Sequence, residues 1–303
     1  MNTTPSPTQP PSQSPPPDSL QTPLQPLPLD YEVCGQGPVL LLLHGFPQNR
    51  AIWQPITEAL SPYFTLVMPD LRGYGQSPKP ASDAAHLTYS KRAMANDLVA
   101  LMDKLGHEQF GVVGHDRGAR VAHRLAADHG SRITRLILLD ISPTLAMYEQ
   151  TDMTFAAGYW HWFFLIQAYP LPENMIGQDP VFFMEQFMVK RYPGRHVFEP
   201  TRWASYLAGM QDSDCRHAMC EDYRASFTVD LEHDRADRNA QHKLAMPLRV
   251  LWGQHGMIQK CFKPLDDWAA VANEVSGQAI DTGHYIPEER PDLLQAEILA
   301  FFR

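Results

Sequence analysis

Gly114-His115-Asp116-Arg117-Gly118 carries the residues with most chemistry to offer. A short apolar run, Phe110–Val113, leads into it and a helical pattern leads out. Glycines two residues either side of a central side chain mark a strained strand-to-helix turn that pushes the central group outward. That group is Asp116. A carboxylate is already ionised at neutral pH and can attack a tetrahedral carbon without a base to activate it, leaving an alkyl ester on the protein. Breaking that ester requires a general base acting on water.

His284, in Asp281-Thr282-Gly283-His284-Tyr285, is the candidate base. It lies between the last expected strand and the last expected helix. The chain order is then nucleophile, acid, histidine. For the acid, the segment after the next-to-last strand reads Trp252-Gly253-Gln254-His255-Gly256 and holds no carboxylate. One strand after the nucleophile, Ile137-Leu138-Leu139-Asp140-Ile141 ends an apolar run in Asp140. Asp140 is therefore expected to orient His284 and stabilise its protonated form. His44-Gly45-Phe46-Pro47 follows the first core strand. The Phe46 and Arg117 backbone N–H groups are placed to hold the oxyanion that forms when water attacks the ester.

Alternating strands and helices must position these groups. Strands are expected at Val39–Leu43, Phe64–Met68, Phe110–Val113, Ile133–Leu139, Leu248–Trp252 and near Gln278–Asp281. Helices are expected at Ala51–Leu60, Lys91–Leu105, Gly118–His129, Leu265–Val275 and Pro291–Phe302. The alternation implies a mostly parallel, doubly wound α/β sheet. Residues 146–231 break the rhythm with an aromatic- and Met-rich helical stretch that includes Phe155–Ala168 and Phe182–Val189. The chain thus divides into a core, 29–145 plus 232–303, and a helical cap, 146–231. Residues 1–28 hold ten prolines and neither Lys nor Arg. Such a composition gives little apolar surface to bury, so a disordered tail is expected there. It resembles neither a secretory signal nor an Arg-rich transit peptide.

The net charge of −9, from 25 Lys+Arg and 34 Asp+Glu, argues against a nucleic-acid partner. It leaves room for an anionic substrate in a locally positive pocket. No apolar run approaches the roughly 20 residues that span a bilayer. Cys34, Cys215, Cys220 and Cys261 form no disulfide framework or CxxC pair, which fits reduced thiols in a cytoplasmic protein and no structural zinc. His107 and His123 read as surface or helix-end residues without a role.

Taken together, His44-Gly45-Phe46-Pro47, the Asp-centred elbow and Gly283-His284 resemble the α/β-hydrolase superfamily. The likeness is strongest to the fluoroacetate (haloacetate) dehalogenases. It is carried by Gly114-His115-Asp116-Arg117-Gly118-Ala119-Arg120, Leu139-Asp140-Ile141-Ser142-Pro143-Thr144, His161-Trp162 and Cys220-Glu221-Asp222-Tyr223-Arg224-Ala225. It runs from about residue 37 to 303. The arginines agree with it: Arg117 and Arg120 lie three apart at a helix start, where two guanidiniums can clamp a substrate carboxylate and keep Asp116 ionised. The resemblance implies a haloacid substrate, Asp116 displacing halide, and a halide pocket of His161, Trp162 and Tyr223. It also implies a homodimer, with no cofactor or metal. No Trp stands near Met188-Val189-Lys190-Arg191-Tyr192, where the resemblance leads us to expect one narrowing the pocket. Two rival readings share the same residues. An epoxide hydrolase would draw on tyrosines among Tyr148, Tyr159, Tyr169, Tyr192, Tyr206 and Tyr223. A non-catalytic scaffold would be expected to have lost a catalytic member, and none is lost here.

Overall fold

The structure, a computed structural model, describes residues 24–191 and 193–303. Seven strands, β1 (Tyr31–Gly35), β2 (Val39–Leu43), β3 (Thr65–Pro69), β4 (Phe110–His115), β5 (Ile133–Leu139), β6 (Leu248–Gly253) and β7 (Val275–Ile280), form one sheet. Their order is β1-β3-β2-β4-β5-β6-β7. β1 runs antiparallel to β3, and every other pair is parallel. The middle strands read as unbroken apolar runs because both faces are covered: Leu40 through Leu43 and Leu136 through Leu139 are all buried.

Helices α1 (Gln54–Leu60), α2 (Lys91–Lys104) and α3 (Arg117–Asp128) connect the first strands. Between β5 and β6 the described chain is wholly helical. It comprises α4 (Thr144–Glu149), α5 (Met153–Gly158), α6 (Trp160–Leu165), α7 (Leu171–Gln178), α8 (Pro180–Met184), α9 (Pro200–Gln211), α10 (Ser213–Phe227) and α11 (Val229–Asn239), and a π-helical turn, Glu185–Val189, extends α8. The chain closes with α12 (Met257–Cys261), α13 (Pro264–Ala269), α14 (Ile286–Glu289) and α15 (Pro291–Phe302).

Several expectations need correction. The segment expected to be helical to Val275 leaves the helix at Ala269, and Val275 opens β7 instead of lying before it. The reason is a period of two: burial alternates along Val275–Ile280, as on an edge strand. The expected helix Phe155–Ala168 breaks at Tyr159, whose φ of −110° and ψ of 34° separate α5 from α6. β1 was not expected: it is as long as β2 and β3, but its half-exposed residues form no apolar run. The tail expected at 1–28 lies outside the described residues up to 23. Beyond that, the Leu27 N–H donates to Asp97 Oδ1 at 2.6 Å and Leu29 enters the core, so the end of this stretch is pinned. His123 is no surface residue: it packs edge-on against Trp268, ring centroids 5.0 Å apart, and burial pushes its pKa down to about 3.

The elbow itself depends on glycine. A Cβ on Gly118 would sit 2.3 Å from the His44 carbonyl oxygen and 2.4 Å from that of Leu43. Both obstacles are backbone of the sheet and cannot swing away. Gly118→Ala is therefore expected to destabilise the fold by about 3 kcal/mol through overpacking. Gly130→Ala, whose Cβ meets only the Met246 methyl at 3.4 Å, serves as the control. Urea unfolding of the two variants beside the parent checks this; equal midpoints would refute it.

Candidate active site

The parallel strands deliver their chemistry at their C-terminal ends. Asp116 lies between β4 and α3 with φ of +50° and ψ of −113°, a conformation that costs a side-chain-bearing residue about 1–3 kcal/mol. Its Oδ1 accepts the Phe46 N–H at 3.0 Å. His44 fixes the Phe46 turn. Its Nε2 accepts the Leu71 N–H at 3.0 Å, so its proton is on Nδ1, which donates to the Gly45 carbonyl at 3.1 Å. Arg117 opens α3, so its N–H is among those a helix leaves unpaired. Burial alone would raise the Asp116 pKa. The neighbouring His284, His115, Arg117 and Arg120 outweigh burial and hold the carboxyl below the usual carboxylate range.

His284 follows β7. Its Nδ1 donates to Asp140 Oδ2 at 2.5 Å, and Asp140 Oδ1 accepts the Gly253 N–H at 2.9 Å. Nε2 is left facing Asp116 Oδ2 at 3.7 Å. That gap is too long for a direct hydrogen bond. A water held by Nε2 would lie beside the Asp116 carboxyl carbon. Two groups without an expected role hold this histidine. His115 Nε2 donates to the His284 carbonyl at 2.8 Å. Glu289 accepts the Gly283 and Tyr285 N–H groups at 2.5 and 2.7 Å, clasping the histidine from both sides. Burial raises the Glu289 carboxyl to about 7.

The two arginines differ. Arg117 is fully buried and committed to Asp222 of α10. Nη2 donates to Asp222 Oδ1 at 2.7 Å and to its carbonyl at 2.9 Å, and Nε donates to Oδ2 at 3.2 Å. Lys91 also pairs with Oδ1, and the Tyr74 hydroxyl donates to Oδ2 at 2.7 Å. Burial would raise the Asp222 carboxyl, but Arg117 and Lys91 hold it well below the usual range. The expected fork from Arg117 to a substrate is thereby reduced to one free nitrogen, Nη1. Arg120 meets no carboxylate at ion-pair distance among the described residues. It donates to Thr144 Oγ1 at 2.9 Å and lies 4.5 Å over the Trp162 ring. Burial, then repulsion from Arg117, lowers its pKa to about 10.

Apart from the Tyr285 hydroxyl beside His284, five buried donors near Asp116 have no hydrogen-bond partner among the described residues: Arg117 Nη1, Arg120 Nε, Trp162 Nε1, and the hydroxyls of Tyr148 and Tyr223. They are contiguous. Arg117 lies 4.1 Å over the Tyr223 ring, and the Tyr148 and Trp162 centroids are 5.0 Å apart. Tyr223 in turn packs edge-on against Phe46 at 5.2 Å. His161 stands on the same wall, 6.0 Å from Tyr223 between ring centroids. The structure thus brings Phe46, Asp116, Arg117, Arg120, Asp140, His161, Trp162, Tyr223 and His284 together, whereas Tyr169 is exposed, Tyr206 donates to Glu288 at 2.6 Å, and Tyr192 lies outside the described residues. Asp222, Lys91 and Glu289 were missed as contributors. Only Asp222, adjacent to Tyr223 in the chain, carried a signal. Among the described residues no group of three His, Cys, Asp or Glu side chains could hold a metal ion, and no helix is long and apolar enough to cross a membrane.

This sheet, with Asp116, Asp140 and His284 after β4, β5 and β7, has the architecture of an α/β hydrolase. The chain belongs to that family: the sequence profile of the alpha/beta hydrolase fold matches residues 38–291. More particularly, it is 41% identical over 261 residues to the fluoroacetate dehalogenase of a Burkholderia species, covering 86% of this chain and 85% of that one. It is 31% identical over 279 residues to the soluble epoxide hydrolase of Corynebacterium sp. (strain C12), covering 90% and 93%. Among solved structures, a candidate α/β hydrolase from Nostoc sp PCC 7120 superposes with a TM-score of 0.88. That protein is 47% identical, with 90% of this chain and 94% of the other covered.

Two outcomes follow from the buried charges. Asp222→Asn leaves the buried Arg117 without its counter-charge and Lys91 with Asp230 alone, 3.4 Å away, and is expected to cost about 3–5 kcal/mol in urea unfolding. Burial pushes the pKa of His115 down to about 4, from an ordinary value of 6.5. Between those values the unfolded chain binds the proton and the folded chain refuses it. Stability therefore falls as pH drops from 6.5 toward 4, by up to about 3 kcal/mol from this residue. Unfolding midpoints at pH 7 and 4.5 measure it, and His115→Asn is expected to shrink the difference.

Proposed function

We propose that this protein is a hydrolytic dehalogenase that converts a 2-haloacid to the 2-hydroxy acid and halide through an ester on Asp116. The observation that carries this is the set of five unpartnered donors, with the unpaired charge of Arg120, beside an ionised carboxylate. Buried donors without partners cost about 1–3 kcal/mol each, so such a cluster is built for anions that arrive from outside. The likeness to a fluoroacetate dehalogenase points the same way.

In this reading Arg120 Nε and Arg117 Nη1 hold the substrate carboxylate. An Asp116 oxygen attacks the halogen-bearing carbon in line, with inversion where that carbon is stereogenic, and the carbon–halogen electron pair leaves as halide. His161, Trp162 Nε1 and the Tyr223 hydroxyl take up the developing charge. His284, held by Asp140, then removes a proton from water. The water oxygen adds to the Asp116 carboxyl carbon, and the Phe46 and Arg117 N–H groups hold the oxyanion. The hydroxy acid departs with the original Asp116 oxygen. Residues 146–231 serve as the helical cap over a core of 29–145 and 232–303.

An epoxide hydrolase is the second reading, because two unpartnered tyrosine hydroxyls, Tyr148 and Tyr223, are what protonation of an epoxide oxygen would use. A neutral epoxide leaves Arg120 without a counter-charge, which favours the haloacid.

Halide release from fluoroacetate and chloroacetate, followed with ion-selective electrodes, tests the reaction. Asp116→Asn is expected to abolish it. A single turnover in ¹⁸O-water is expected to place ¹⁸O on Asp116 and not in the first hydroxy acid. His284→Gln is expected to accumulate the carboxymethyl ester, visible as added mass. No halide from either acid, with diol formed from a styrene-type epoxide, would select the second reading.

A further inference from the structure

His161 is buried on α6 against Phe187, ring centroids 4.6 Å apart. Its Nδ1 lies 3.3 Å from Arg191 Nη2. Arg191 follows the π-helical turn after α8. Its guanidinium carbon is 4.3 Å above the Phe187 ring and 5.3 Å above that of Tyr159. No carboxylate pairs with it among the described residues. It also lines a cavity of about 220 Å³ together with Tyr159 and His284. It therefore occupies the stretch in which a pocket-narrowing Trp was expected and none was found.

A guanidinium has only protons to give. Histidine Nδ1 can meet it only as a lone pair, so the imidazole proton must be on Nε2. Nε2 has no hydrogen-bond partner among the described residues. Protonating Nδ1 as well would turn an acceptor into a second donor facing a cation. Burial, then the charges of Arg191, His284, Arg117 and Arg120, hold His161 well below the usual histidine range, in line with a neutral ring. We propose that Arg191 is a positioning residue that fixes His161 as the neutral Nε2–H tautomer, so that this one proton is offered to the departing halide. The role of that proton rests on the haloacid reading; the tautomer does not.

The two are separable by experiment. The full-length protein is labelled with ¹⁵N-histidine, and long-range ¹H–¹⁵N correlation spectra are recorded near neutral pH. His161 is assigned by its loss in His161→Asn. We expect a neutral ring with the proton on Nε2 and a hydrogen-bonded Nδ1. In Arg191→Met the Nδ1 resonance is expected to move to its free-acceptor position, with the Nδ1–H form appearing beside it. Arg191→Lys, which keeps a donor, is expected to restore part of the native signal. For chloroacetate, kcat is expected to fall about 10-fold in Arg191→Met with KM little changed, the size usual for losing a residue that orients another. An Nδ1–H tautomer in the parent protein would overturn the proposal, as would an Arg191→Met spectrum identical to the parent's. Native spectra as expected with no haloacid turnover would uphold the tautomer and remove the dehalogenase reading.

Discussion

A carboxylate sealed from water must be met by charge and hydrogen bonds on every side, and Asp222 is. Lys91 comes to it from α2, Arg117 from α3 and the Tyr74 hydroxyl from the loop after β3, while Asp222 itself belongs to the helical layer. This cluster joins the two layers at one point. It also fixes the direction of the Arg117 side chain, and so which of its nitrogens remains free. The position of α10 over the sheet, and with it Tyr223, follows from the same contacts.

Charge accounting then explains the division of labour between two arginines one helical turn apart. Arg117 and Lys91 share Asp222, so their charges are largely answered within the protein. Arg120 rests on the Trp162 face and a threonine hydroxyl instead. Aromatic faces stabilise a guanidinium by about 0.5–2 kcal/mol, well short of a full counter-ion when buried. Among the described residues Arg120 thus has no carboxylate at ion-pair distance, and only the more distant Asp116 answers its charge, which leaves room for a further anion.

The candidate site groups are legible in the sequence because local backbone geometry restricts them. Only small residues fit at Gly114 and Gly118, and an acid at the end of an apolar run, as at Asp140, has few structural explanations. The parallel strands were legible for a similar reason: burial on both faces leaves continuous apolar runs. What escaped notice depends on contacts across more than a hundred positions. Asp222 to Lys91, and His161 to Arg191 at shorter range, join residues of ordinary type at no fixed spacing. The helical layer was legible as helical, but the break at Tyr159 was not, since its residues are as apolar as those of a continuous helix. β1 and β7 lie at the sheet edges, where half-exposure dilutes the pattern.

The cluster of unpartnered donors has one more consequence. Donors that wait for a ligand do not recognise its history. On the haloacid reading proposed above, an anion entering from the medium, the expelled halide and the departing hydroxy acid all present the same negative charge to Arg120, Trp162 and the tyrosines. Turnover in such a pocket is a competition among small anions, and the ionic composition of the surroundings becomes a participant in the catalytic cycle.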